Sequence, residues 1–440
     1  MVAFVCFVSC TKDKVANNYD QELTEALEAA SPSGSKIHYI MPESDDYANL
    51  PNQDAKNPVT AAKVELGRLL FFETGLGLNP KYGVSKQAYS CSSCHVPSMS
   101  FTAGRFQGIA DGGVGFGDHG EARVKNNQYG GSEVDAQGAR PLPTINLTYV
   151  TNALWSGAFG SFGTNVGTEN AWGVTDPLTD INKDAIEGLE ANNHRALITH
   201  RQVINKEVTD SLGYSAMFDA AFPDVPASER YSLQIGANAI AAYFRTILTN
   251  RAPFQRWLKG DNAAMTEQQK RGATLFFDKA GCKNCHTSPS LNTMRYEAIG
   301  VNNLFQSPYD VFRTGINDKR NLGRGGFTLR EEDKYKFKIP QLYNLKHVGF
   351  YFHGASKTSL RQVVEYFNAG IPENPDVPKS QISTKFHPLG LTSKEMDDLT
   401  EFLTNGLYDA DITRYAPKAI MSGKCFPNND PQSRRDMGCE

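Results

Sequence analysis

Cysteine and histidine recur in one fixed order at two places in the chain, Cys91-Ser92-Ser93-Cys94-His95 and Cys282-Lys283-Asn284-Cys285-His286. Cys-x-x-Cys-His is the attachment signal for c-type haem: two thiols three apart each bond one vinyl group at the porphyrin edge, and the adjoining imidazole turns under the ring to meet the iron. With 8 Cys and 9 His in 440 residues, chance supplies on the order of 0.003 copies of that pattern. Two copies therefore point to two haems and to one-electron redox chemistry. The pairs stand too far apart in sequence for a small zinc module. A thioredoxin-like dithiol needs no histidine after it and would not come twice. Cys91, Cys94, Cys282 and Cys285 are assigned to the porphyrins, and His95 and His286 to the proximal sides of the irons.

Length and charge bound the rest. A chain of 440 residues has room for two or three domains, and two haems suggest two. The 45 basic and 48 acidic residues, net −3, form no polybasic footprint for nucleic acid or an acidic membrane face. After residue 10 no apolar run approaches the ~18 residues of a membrane-spanning helix. Residues 1–10 are apolar, end in Ser9-Cys10 and look like the tail of a bacterial lipoprotein signal with Cys10 lipidated, although no Lys or Arg precedes the apolar run. They predict export to the periplasm or cell envelope, where c-type haem is attached in bacteria. Residues 11–55, rich in Asn, Asp, Ser and Pro, read as a flexible tether. Cys425 and Cys439 flank a Pro/Asn/Asp-rich tail, 416–440. In an exported chain they pair as a structural disulfide worth up to about 3 kcal/mol in the chain-entropy model.

An internal repeat marks the domains. Gly67-Arg-Leu-Leu-Phe71-Phe72 precedes the first motif and Gly272-Ala-Thr-Leu-Phe276-Phe277 the second, one short amphipathic helix used twice. Gly75, Gly77, Pro80 and Gly83 make an inserted loop in the first copy. Each half closes in another helical pattern, Ile235–Leu248 and Ser393–Leu403, with Ser393 as a natural N-cap. Thr266, with Gln269 three on, opens the second repeat helix. The expected fold class is all-α with long loops: two cytochrome c-like modules, 56–251 and 264–415, and a turn-rich boundary near 252–263.

With these elements in place the chain resembles the bacterial di-haem cytochrome c peroxidases, and their relative the methylamine-utilisation di-haem oxidase, over roughly residues 57 to 410. The landmarks are Leu66-Gly-Arg-Leu-Leu-Phe-Phe, Arg140-Pro-Leu-Pro143-Thr144-Ile-Asn146, Phe337-Lys-Ile-Pro340-Gln-Leu342-Tyr-Asn344 and Tyr351-Phe-His353-Gly354. The resemblance implies an N-terminal haem that reacts with hydrogen peroxide and a C-terminal haem that receives electrons from a small cytochrome c or cupredoxin. Two one-electron stores suit a two-electron reduction, and a homodimer is compatible with it.

The same resemblance proposes the remaining site residues. The acid-base group on the open side of the first iron, usually Glu, falls at His194 in this register. Arg195 then stands ready to stabilise negative charge, and Glu187 and Glu190 are alternatives. His119, in a glycine-rich loop, is the candidate for a removable sixth ligand, and Trp155 matches a tryptophan between the haems or else serves the core. At the second haem the sixth-ligand position, Met or Tyr in the family, is Phe367, which cannot ligate iron; Tyr366, Met294 and Met396 are the substitutes nearby. An interdomain calcium site would lack its Asn oxygen, because Pro141 follows Arg140, and would depend on carbonyls and water. Beside peroxide reduction stand two further readings: oxidation of a protein or organic substrate with peroxide, and a di-haem electron carrier with both irons six-coordinate.

Overall fold

The computed structural model describes residues 18–439. Its helices are α1 (Tyr19–Ala30), α2 (Ala61–Phe72), α3 (Gly188–Thr199), α4 (Lys206–Leu212), α5 (Ser215–Ala221), α6 (Ala227–Arg230), α7 (Leu233–Thr246), α8 (Pro253–Leu258), α9 (Glu267–Phe277), α10 (Gly325–Thr328), α11 (Leu360–Ala369), α12 (Ser393–Glu401) and α13 (Pro431–Asp436). Long loops with short 3-10 turns join them. Sheet among the described residues is confined to two antiparallel pairs, β1 (Gly113–Val114) with β2 (Val124–Lys125) and β3 (Tyr296–Glu297) with β4 (Phe337–Lys338). The protein is thus mostly helical.

Each repeat helix crosses the closing helix of its own half, α2 on α7 and α9 on α12. A glycine makes both crossings: a Cβ on Gly67 would lie 1.9 Å from the Ala239 carbonyl oxygen, and one on Gly272 would lie 2.0 Å from that of Asp398. Only a residue without Cβ lets two helix backbones approach so closely. Thr266 and Gln269 form the expected reciprocal capping box on α9. At α12 the cap is Thr392 rather than Ser393, because Glu395 stands three residues after Thr392 and closes a second box.

Two large cores result. The first gathers Leu66, Leu70, Phe71, Leu197, Tyr214, Ile240 and Phe244, and the second Phe254, Trp257, Phe276, Phe277, Leu360, Leu399 and Phe402. Two segments depart from the sequence reading, and the fold gives the tail, which carries the expected disulfide, a docking place. The described part of the expected tether is structured: Leu23, Leu27, Tyr39 and Met41 are buried in the second core, and the Trp257 Nε1 donates to Asp20 at 2.6 Å. Four large apolar anchors outweigh the polar composition around them. The expected turn-rich boundary instead opens with a helix, α8, which buries Phe254 and Trp257 in the same core. The described tail, 416–439, closed by the Cys425–Cys439 disulfide, folds back onto the first module. There Phe426 meets Phe72 edge to face at 5.6 Å, and Asp430 pairs with the buried Arg123 at 3.3 Å. The N-terminal arm therefore completes the second module and the C-terminal tail completes the first. Cys10 lies outside the described residues.

Candidate functional site

Both Cys-x-x-Cys-His loops are single 3-10 turns, Cys91–Ser93 and Cys282–Asn284, which bring the two thiols and the imidazole to one side. In the first, the His95 Nδ1–H donates to the Phe101 carbonyl at 3.0 Å. In the second, the His286 Nδ1–H donates to the Leu291 carbonyl at 2.6 Å. That bond fixes the tautomer, leaves Nε2 as the free donor atom and makes it more basic. Burial pulls both imidazoles down to about 4, so each is neutral and able to ligate at neutral pH. The repeat supplies the neighbour as well: Phe71 lies 6.4 Å from the His95 ring and Phe276 lies 6.1 Å from the His286 ring, centroid to centroid.

Beyond these shared parts the sites diverge. The second loop opens into a cavity of about 570 Å³ lined by Cys282, Cys285, His286 and the apolar face of α11, a size and character suited to a porphyrin. Two buried cations also line it without a carboxylate partner. The Arg140 guanidinium donates only to the carbonyls of Arg105, Ala103 and Val348, and the Lys338 Nζ only to that of Asn152 at 3.0 Å. Burial pulls Lys338 down to about 7. Uncompensated buried charge is costly, and the two propionates of a haem would compensate it, so the residues present fit the group. The family landmarks converge here: Arg140, Phe337, Tyr351 and His353 all line this cavity.

Trp155 ties this wall to the first module. Its Nε1 donates to the Arg140 carbonyl at 2.7 Å, and its ring meets His353 and Phe337 edge-on at 6.2 and 6.5 Å. Phe337 and His353 are stacked at 3.5 Å. The sixth-ligand substitutes do not enter the cavity. The Tyr366 hydroxyl donates to the Ile299 carbonyl at 2.6 Å, Met294 lines a separate small cleft, and Met396 packs against the second core from α12. Phe367 does line it.

Around the first loop the surroundings are polar. At the end of α3 three consecutive side chains find polar partners: the His200 Nδ1 bonds Asp135 at 2.7 Å, Arg201 pairs with the buried Asp111, and the Gln202 Nε2 approaches the Cys91 Sγ of the attachment loop at 4.0 Å. His200 is near enough for its charge to lower the pKa of His95, and Asp135 near enough to raise that of Cys94. Two amide oxygens, Gln137 Oε1 and Gln202 Oε1, are buried without partners, which suits a pocket awaiting a bound group. A loop of the second module closes this side, where Gln107 and Phe312 exchange hydrogen bonds at 2.7 and 3.0 Å and Arg313 stands 3.9 Å from Asp135. Burial pushes the His200 imidazole down, but the charge and hydrogen bond of Asp135 outweigh burial and the repulsion of Arg313 and Arg201. The net shift is upward.

The residues expected from the sequence to serve as the acid-base group take the following places. His194 lies on α3 beside Arg195 and Asp184, and Arg195 pairs with Asp180 at 2.5 Å; none of them bonds a residue of the attachment loop. Glu190 is locked in a buried ion pair with Arg245 at 2.6 Å, joined by Asn57. Glu187 stands at the N-terminus of α3, its carboxyl pushed up by burial and by Asp54 and Glu190. His119 is exposed and bonded to the Ser98 Oγ at 3.0 Å. A further imidazole, His200, stands at the C-cap of α3, where the chain leaves the helix, close enough to His95 to act on it through its charge. In the sequence it is marked only as the first of three consecutive polar residues, His200-Arg201-Gln202, where α3 ends.

Residues 61–263 match the family model described as di-haem cytochrome c peroxidase. The cytochrome-c peroxidase IdrP1 of Denitromonas iodatirespirans is 29% identical over 371 residues, covering 79% of this chain and 82% of that protein. The methylamine utilization protein MauG of Methylorubrum extorquens is also 29% identical, covering 84% and 83%. Among solved structures, a MauG-like protein associated with microbial copper homeostasis shares the fold with a TM-score of 0.56 at 22% identity, covering 84% of this chain and 95% of that one. The chain is thus similar to the di-haem cytochrome c peroxidases through its first half by family model, and to peroxidases and MauG proteins over most of its length.

Proposed function

We propose that the protein is an exported di-haem peroxidase. Each Cys-x-x-Cys-His loop holds one c-type haem covalently. Hydrogen peroxide is reduced at the first, and the second takes electrons from a small cytochrome c or cupredoxin and passes them on. The observation that carries this reading is the imidazole–carboxylate pair His200–Asp135 set against the first attachment loop. The peroxidase names of the relatives support the reaction class, and the Cys425–Cys439 disulfide supports an oxidising compartment, with lipidation at Cys10 as the anchor.

A bound haem supplies an iron that exchanges single electrons. The chain supplies the proton handling. Hydrogen peroxide, two electrons and two protons give two waters. The His200 Nε2, free because Nδ1 is held by Asp135, takes the proton of the attacking oxygen and returns it to the departing one. Asp135 stabilises the imidazolium between those two moments and keeps the ring oriented. Trp155, with the Phe337–His353 stack behind it, gives electrons a packed aromatic route between the modules.

The test is peroxide-dependent oxidation of reduced cytochrome c, and separately of a reduced cupredoxin, by the holoenzyme. Turnover with at least one donor is expected, falling at least ~100-fold in His200→Ala. No peroxide-dependent donor oxidation in the wild type rejects the reading.

A further inference from the structure

We infer that the second haem cavity provides no protein side chain as sixth ligand, and that its iron is a binding site for a small neutral diatomic gas. The inference rests on the reading that the second loop carries a haem. The α11 face toward the cavity is Leu360, Val363, Val364 and Phe367, which includes no sulfur, imidazole or phenol. Several donor groups elsewhere in the lining are engaged. The Tyr351 hydroxyl donates to the Leu345 carbonyl at 2.9 Å, and the His353 Nε2 bonds the Asn303 Oδ1 at 3.0 Å while its ring is stacked under Phe337. The Lys385 Nζ is paired with Glu297 at 2.6 Å. His387 is exposed, with Nδ1 against the Pro388 carbonyl at 3.0 Å, and Tyr335 is partly exposed. Neither belongs to the buried apolar wall.

Phe367 is also held in place rather than free to yield. Its ring meets Phe352 at 6.2 Å and Phe386 at 5.8 Å, and Tyr366 is turned away by its own bond to Ile299. With Arg140 and Lys338 matched to the propionates, the aliphatic and aromatic α11 wall offers no donor to stabilise a charged or strongly polarised ligand, whereas apolar surroundings of this kind accept small neutral molecules readily. The first site, with His200, Asp135 and Arg201, has the opposite character. Within one chain the polar pocket suits peroxide and the apolar pocket suits a gas such as carbon monoxide.

The experiment uses the full-length holoprotein. Its haem content is first counted as the pyridine haemochrome, and a count below two per chain removes both the haem reading and this inference. With two haems present, the dithionite-reduced protein is titrated with carbon monoxide and compared with Phe367→Met, a substitution that restores a thioether ligand at nearly constant volume. The wild type is expected to bind one more carbon monoxide per chain than the variant. Before gas is added, resonance Raman spectra of the ferrous wild type are expected to show the second haem five-coordinate and high-spin. A six-coordinate low-spin second haem in the wild type overturns the inference. His387→Ala converting that haem to high-spin would identify His387 as the ligand that overturned it.

Discussion

The two modules are built from one plan and finished differently. Each has a repeat helix crossing a closing helix at a glycine, a phenylalanine beside the proximal histidine, and a backbone carbonyl accepting from the histidine Nδ1. Those parts position a haem and are needed twice. The parts that decide what the haem does are not repeated: the first loop is surrounded by His200, Asp135, Arg201 and Asp111, the second by Leu360, Val363, Val364 and Phe367. Polarity beside an iron governs whether oxygen species are bound, activated or left alone. The difference is what the proposed division, reaction at one site and electron storage at the other, rests on.

Substitutions at the shared parts should be the most damaging, and equally so in both halves. Gly67→Ala and Gly272→Ala each force a methyl into a backbone carbonyl, and each is expected to cost about 3 kcal/mol or more, measured by thermal unfolding with haem content followed in parallel. Damage in one half alone would break the symmetry of the plan. Next comes the exchange of termini. Asp430→Ala leaves the buried Arg123 without its partner and should destabilise by about 3–5 kcal/mol, seen as a lowered urea midpoint. Asp20→Ala in the partly exposed N-terminal arm should cost less, about 1–2 kcal/mol. Equal losses would argue against the tail as a structural part of the first module.

A pH profile probes the first site. Since Asp135 raises the His200 pKa, the basic form accumulates only above the ordinary imidazole range, and reactivity toward peroxide should rise with pH through an inflection there. Asp135→Asn removes the carboxylate and leaves burial and the nearby arginines, so the inflection should move below that range. The linkage has a definite sign. A pKa raised on folding gives stability that is present at low pH and is lost as pH climbs through the folded-state value. An inflection that does not move on Asp135→Asn would break the assignment. The smallest effect is expected at Trp155→Phe, which removes one hydrogen bond to Arg140, about 1 kcal/mol, and slows donor-driven turnover without changing peroxide reactivity of the first haem.

The shared plan was legible in the sequence because its signals are local. Cys-x-x-Cys-His, the Gly-x-x-Leu-Phe-Phe repeat and the Thr266/Gln269 cap each lie within a few residues. The finishing was less legible because its partners are distant in sequence. Asp135 meets His200 only after the chain has looped back through β1 and β2, and nothing local in Ile198-Thr199-His200-Arg201 announces a carboxylate. The N-terminal arm was hidden for a different reason. Its anchors, Leu23, Leu27, Tyr39 and Met41, are spaced among polar residues, and average composition conceals a stripe of buried ones. Phe367 was the exception, a departure visible in the sequence whose surroundings the fold supplies.

The most direct test of the division between the sites is the second-order rate constant for the reaction of hydrogen peroxide with the fully loaded protein, followed by rapid mixing at the Soret band, in His200→Ala and His194→Ala. Loss of the pair beside the first loop should lower the constant at least ~100-fold in His200→Ala and leave His194→Ala within about twofold of wild type. A full-strength reaction in His200→Ala, with the loss appearing in His194→Ala instead, would contradict the account.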